Sequence, residues 1–149
     1  MTKYHYPAVA VDMIVEKDDK LLMVRRNGKT FRYSYAIPGG FINERERVED
    51  AAIREMREET NVDIEPIDIL GVYSAPYRDP RGHIVTVVFV GKIIEGKPKA
   101  GDDAQDVRWF SWEELSKTRI SSDHVIILED YQKWKKEKGT YWSSKVCCG

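Results

Sequence analysis

The chain has 149 residues and a mass of 17.3 kDa, which fits one domain with a sizeable core. Hydrophobic residues make up 42%, charged residues 33%, and the formal net charge is -1, so bulk electrostatics gives no reason to expect nucleic acid or a membrane surface as a partner. No apolar run reaches the length that spans a bilayer, and the N-terminus MTKYHYPAVAVDMIVEKDDK has no signal-peptide pattern. The only cysteines are the neighbours Cys147 and Cys148, neither a disulfide framework nor a zinc site. A cytoplasmic location is expected.

Strands and helices alternate along the chain without repeats. AVAVDMIV (Ala8–Val15) is almost continuously apolar and β-branched, as in a strand covered on both faces. LLMVRR (Leu21–Arg26) follows across KDDK, so the two read as a hairpin. A polar, aromatic loop leads to IPGG, and helical periodicity runs from about Val48 to Thr60. Further strands are expected at Ile69–Tyr73, at His83–Ile94 after the turn-rich APYRDPRG, and at VRWF. SWEEL reads as a turn of helix. SSDHVIILEDYQKWKKEK reads as a second long helix, with a cap among Ser121, Ser122 and Asp123 and an apolar stripe of Ile127, Tyr131 and Trp134. Gly139 is placed to end it. This order predicts an α+β domain with one mixed sheet between helices, over residues 1–138, and a tail over 139–149. The aromatic pair Tyr141-Trp142 in that tail is unusual for a disordered end and suits docking on the domain or on a dimer mate.

REMREETN (Arg54–Asn61) places Glu55, Glu58 and Glu59 at i, i+3 and i+4, on one face of a helix near its C-terminus. Like charges at these spacings cost roughly 0.2–0.5 kcal/mol per pair, and the helix dipole disfavours anions at that end. One reading is a solvated face balanced by Arg54 and Arg57. The other is a hard divalent cation, which wants several carboxylate oxygens converging from a rigid element. The Gly39-Gly40 pair just upstream lets backbone approach a ligand closely.

The wider spacing resembles the Nudix box. Gly40 is followed after five residues by Glu46, after seven more by Arg54-Glu55, and then by Met56, Arg57, Glu58-Glu59, Thr60, Asn61 and Val62. PGGF upstream, and RDPRGHIVTVVFV with AGDDAQDVRWFSWEEL downstream, look like the bacterial and archaeal ADP-ribose pyrophosphatase branch of that family. The resemblance implies a Nudix-type α/β/α sandwich. It also implies Mg2+ (or Mn2+) held by Glu55, Glu58, Glu59 and the carbonyl of Gly40, with Glu46 pairing with Arg54 in a structural role. Glu58, with Glu55, is the first candidate to orient or deprotonate the attacking water; Asp102, Asp103 and Asp106 are rivals on a distant loop. The box's late glycine is Asn61 here, which tolerates the left-handed conformation. Arg45 stands before Glu46, where glycine is common, and Arg47 is a poor helix cap.

For the substrate, Arg25, Arg26, Arg78 and Arg81 are candidate phosphate contacts, because guanidinium forks match phosphate oxygens. Tyr33, Tyr35, Tyr77 and Trp109 could stack on an adenine. The resemblance implies hydrolysis of a nucleoside diphosphate linked to another moiety, best ADP-ribose to AMP and ribose 5-phosphate. The alternatives are a triphosphate pyrophosphohydrolase and a non-catalytic nucleotide sensor. Regulators of the last kind need a DNA-binding module, and only about ten residues follow the last expected helix. The expected partners are a small nucleotide and, for assembly, a homodimer mate.

Overall fold

The computed structural model describes residues 5–26, 34–99 and 104–144. Strand β1 (Ala8–Lys17) turns into β2 (Lys20–Arg26) through Asp18 and Asp19, both with positive φ (53° and 60°). Lys17 faces Lys20, so this is a two-residue hairpin turn whose twist suits the strands. β3 (Tyr35–Ala36) pairs with β2, and β4 (Gly39–Phe41) pairs with β1. Helix α1 (Val48–Thr60) leads into β5 (Asp63–Tyr73), which runs antiparallel to β6 (Ile84–Glu95). β6 lies parallel to β1, and β7 (Ala104–Ser111) is antiparallel to β2. The short α2 (Trp112–Ser116) and the longer α3 (His124–Glu137) complete the helices among the described residues.

Alternation along β1 explains the layers. Val11, Met13 and Val15 join Ala51, Ala52 and Met56 of α1 in one core cluster. Ile14 points the other way and joins Val88 and Val90 of β6 with Ile127, Tyr131 and Trp134 of α3. A mixed sheet thus separates two helical layers, each covering one apolar face.

Several features depart from the sequence expectation, among them β3 within the expected polar, aromatic loop and β7, which begins at Ala104 rather than at Val107. β5 begins at Asp63, six residues before the expected Ile69, because its register shifts at three places let it track β6 past Pro66. Such bulges break the period-2 signal. PGGF contributes a strand, β4, although glycine disfavours strands. Tyr141-Trp142 forms β8, parallel to β5, so the segment after α3 adds an edge strand to its own sheet. No helix among the described residues is long and apolar enough to cross a membrane.

Helix α1 ends on Asn61, whose φ of 64° and ψ of 27° are left-handed, with its amide donating to the Arg57 carbonyl. Replacing Asn61 by alanine should lower the urea midpoint, with a cost of about 1 kcal/mol, because an ordinary Cβ is penalised there. Asn61→Gly should be at least as stable as the wild type.

Candidate active site

A cavity of about 440 Å³ opens where β1, β4, the turn Arg78–Arg81 and the start of α3 meet. Glu55 and Glu59 of α1 line it beside Gly39 and Gly40, with Asp12, Thr86 and His124 on the wall from the α3 side. The glycines make this arrangement possible. A Cβ on Gly40 would stand 2.4 Å from the Glu55 carboxyl carbon, and one on Gly39 would stand 2.0 Å from the Val11 carbonyl oxygen. With no side chain there, the Gly39 amide donates to Glu59 Oε1 at 3.2 Å, and Glu59 is buried.

Arg54 organises the rest of the acidic face. Its Nε and Nη2 grip both oxygens of Glu46 at 2.8 Å, a fork-on-fork pair. Nη1 donates to Glu55 at 2.8 Å and to Glu58 at 3.0 Å, and Nη2 also donates to the Phe41 carbonyl. One guanidinium therefore offsets the charge of three carboxylates and ties the loop to the helix. The Arg54 hydrogen bonds, and then the Asn43 amide, lower the Glu46 pKa to about 2.

Glu58 turns toward Arg54 and solvent, and Glu55 and Glu59 face the cavity. Among the described residues no three acidic or histidine side chains form a ready-made metal cluster. The donors still fit a hard divalent ion, which takes oxygen ligands and usually keeps waters or phosphate oxygens in its remaining positions. Glu55 and Glu59 supply carboxylate oxygens from successive turns of one helix, and Gly40 leaves its backbone uncovered next to Glu55.

The structure places the expected substrate residues unequally. Arg81 sits at the cavity mouth with its side chain 37% exposed, its guanidinium 5.3 Å from the centre of the Phe41 ring and paired with Asp79. Arg78 lines the cavity too, yet its side chain is 2% exposed. It forks onto Asp123 at 2.9 and 2.7 Å and donates to Thr86 at 2.7 Å. These bonds make it a brace between the turn and α3. Asp123 stands at the N-cap position of α3 without capping it, because Arg78 has taken its carboxylate.

Arg25 and Tyr35 lie elsewhere, on β2 and β3, outside the cavity lining. The Tyr35 ring is 8% exposed and meets Phe110 edge-on at 4.8 Å, and its hydroxyl donates to Asp106. That leaves no open ring face for a base. The Arg25 guanidinium stands 5.9 Å from the same ring. Tyr77 is exposed and Trp109 packs against the α1 cluster. Tyr33, Asp102, Asp103, Cys147 and Cys148, and the side chain of Arg26, lie outside the described residues. Sequence reasoning missed the buried pair of His124 and Asp12, since the two residues are far apart in the chain and neither belongs to the box.

The NUDIX domain model matches residues 6–131. The chain is 46% identical over 132 residues to an ADP-ribose pyrophosphatase of Methanocaldococcus jannaschii, covering 89% of this chain and 77% of that one. It is 25% identical to the ADPR responsive transcriptional repressor NtrR of Acinetobacter baylyi, covering 85% of this chain and 53% of the repressor. In structure it resembles a bifunctional NMN adenylyltransferase/ADP ribose pyrophosphatase from Francisella tularensis, with a TM-score of 0.75, 28% identity, and coverage of 93% of this chain and 43% of that one.

Two outcomes test this geometry. Arg78→Ala leaves Asp123 a buried, unpaired charge and should cost about 3–5 kcal/mol in urea unfolding; unchanged stability with a raised KM would instead make Arg78 a ligand contact. Glu46 has a lowered folded pKa, so its contribution is complete above its ordinary value of 4.5 and is lost as pH falls toward about 2. The stability gap between wild type and Glu46→Gln should therefore be constant near neutrality and close across that acidic window.

Proposed function

Because the chain belongs to the NUDIX family, we propose that it is a metal-dependent hydrolase of nucleoside diphosphates linked to a second moiety, splitting ADP-ribose into AMP and ribose 5-phosphate. The observation that carries this reading is the pair Glu55 and Glu59 held against the glycines of β4 inside the cavity. The 46% identity to an ADP-ribose pyrophosphatase supports the substrate. Glu55 and Glu59, with Glu58 and the Gly40 carbonyl, would hold Mg2+ or Mn2+. When bound, such an ion neutralises phosphate oxygens and acidifies a nearby water. Glu58, half exposed beside this site, orients the water and accepts its proton. Asp103, which precedes β7 in the sequence, is the rival base. Arg81 at the cavity mouth grips the distal phosphate or ribose end.

Similarity to a repressor keeps a sensing role as the second reading, but a sensor has no need of the complete set Glu55, Glu58 and Glu59. The proposed location is cytoplasmic. A homodimer is supported by exposed apolar side chains on β5, namely Ile67, Ile69 and Val72, the last of them paired with the exposed Trp142; sedimentation of the purified chain tests it.

A nucleotide panel with Mg2+, resolved by product chromatography, should give a higher kcat/KM for ADP-ribose than for any nucleoside triphosphate, with AMP as a product. Chelator should abolish turnover and Mg2+ or Mn2+ restore it; full turnover in chelator overturns the reading. Glu59→Gln should lower kcat by roughly a hundredfold or more with the fold preserved. Arg81→Ala should raise KM for ADP-ribose more than it lowers kcat, because its contact is made in ground and transition states alike.

A further inference from the structure

His124 has no role in the proposed hydrolysis, yet it opens α3 inside the cavity wall and is 5% exposed. Backbone pairing delivers it there. The Tyr35 amide donates to the Arg119 carbonyl at 2.9 Å and the Ser121 amide to the Tyr35 carbonyl at 2.8 Å, so the segment before α3 runs beside β3. The Ile37 amide then donates to His124 Nδ1 at 2.9 Å. An Nδ1 that accepts an amide proton leaves the ring proton on Nε2. That nitrogen stands 3.3 Å from Asp12 Oδ2.

The contacts continue toward the acidic helix. Asp12 Oδ1 lies 2.2 Å from the place a Cβ on Gly39 would occupy, so the carboxylate packs against that bare backbone. Gly39 in turn donates its amide to Glu59, and the Met13 amide, next to Asp12 in β1, donates to the Pro38 carbonyl. Asp12, Glu59 and His124 are each at most 5% exposed and meet solvent only through the cavity they line. A contiguous buried path thus runs from the start of α3 through Asp12 and Gly39 to Glu59.

We propose that His124 and Asp12 are a positioning pair for the Pro38-Gly39-Gly40 segment at the start of β4, and through it for the Glu59 carboxylate. The proposal rests on the reading of Glu55 and Glu59 as metal ligands. With both ring nitrogens engaged, His124 has one orientation, and Asp12 is wedged between that ring and the glycine backbone. Metal ligands demand placement within about 0.5 Å, and groups that orient a ligand through one intermediate typically change metal affinity by about 10–100-fold when altered. A histidine that only filled space would set overall stability and leave metal affinity alone.

The test is Mn2+ binding to the full chain, measured by electron paramagnetic resonance on protein shown by circular dichroism to be folded. His124→Asn keeps an oxygen near the Nδ1 position for the Ile37 amide but is too short to reach Asp12. Asp12→Asn keeps the shape of the wedge and replaces a charged acceptor. Each should weaken Mn2+ binding by roughly tenfold or more, and kcat should recover at saturating Mg2+, because the ligands themselves remain. If His124→Asn does not fold, Asp12→Asn and His124→Gln decide. Folded variants that bind Mn2+ as tightly as wild type overturn the proposal. Glu59→Gln separates the two ideas: binding lowered by Glu59→Gln but not by the others defeats the positioning pair alone. Binding indifferent to Glu59→Gln defeats the metal reading, and the pair with it.

Discussion

The candidate site depends on two consecutive residues without side chains. Gly39 and Gly40 form a strand against β1, and their missing Cβ atoms would point to opposite faces of the sheet. On one face the vacated space admits the Glu55 carboxylate from α1, and on the other it admits Asp12. A carboxylate from helix α1 and one from the neighbouring strand β1 therefore flank a backbone thin enough to let them share one cavity. A side chain at Gly39 would collide with the Val11 backbone carbonyl, and one at Gly40 would displace the Glu55 carboxylate from its place beside the strand.

A second constraint is electrostatic. Three glutamates near the C-terminal end of a helix repel one another and oppose its dipole. Arg54 answers this within the protein by forking onto Glu46 and donating to Glu55 and Glu58. The guanidinium holds part of the acidic face in place without entering the cavity. Glu59 is held differently, by the Gly39 amide, so the two glutamates lining the cavity are positioned by different groups.

The start of α3 links the remaining walls. Asp123 holds the turn Arg78–Arg81 through Arg78, and the adjacent His124 contacts Ile37 and Asp12 beside the glycines of β4. Neighbouring residues in one short segment thus face the two sides of the cavity. Their bonds are buried, which makes them directional and costly to break.

The sequence by itself determined the class of the fold and the helix that carries the acids, because these follow from local periodicity, and the Glu46–Arg54 pair was implied by the resemblance to the Nudix box. Apolar, β-branched runs located β1, β2 and β6, and the i, i+3, i+4 glutamates located the acidic face. It did not determine β4, β8 or the early start of β5, whose partners lie elsewhere in the chain and whose glycines and bulges erase local signals. Nor did it separate the arginines: Arg78 and Arg81 look alike in RDPRGH, and only packing turned one inward onto Asp123 and left the other at the cavity mouth. The Asp12–His124 contact joins residues at opposite ends of the domain. No local pattern encodes such a contact, since it exists only when β1 and α3 close on the glycines of β4.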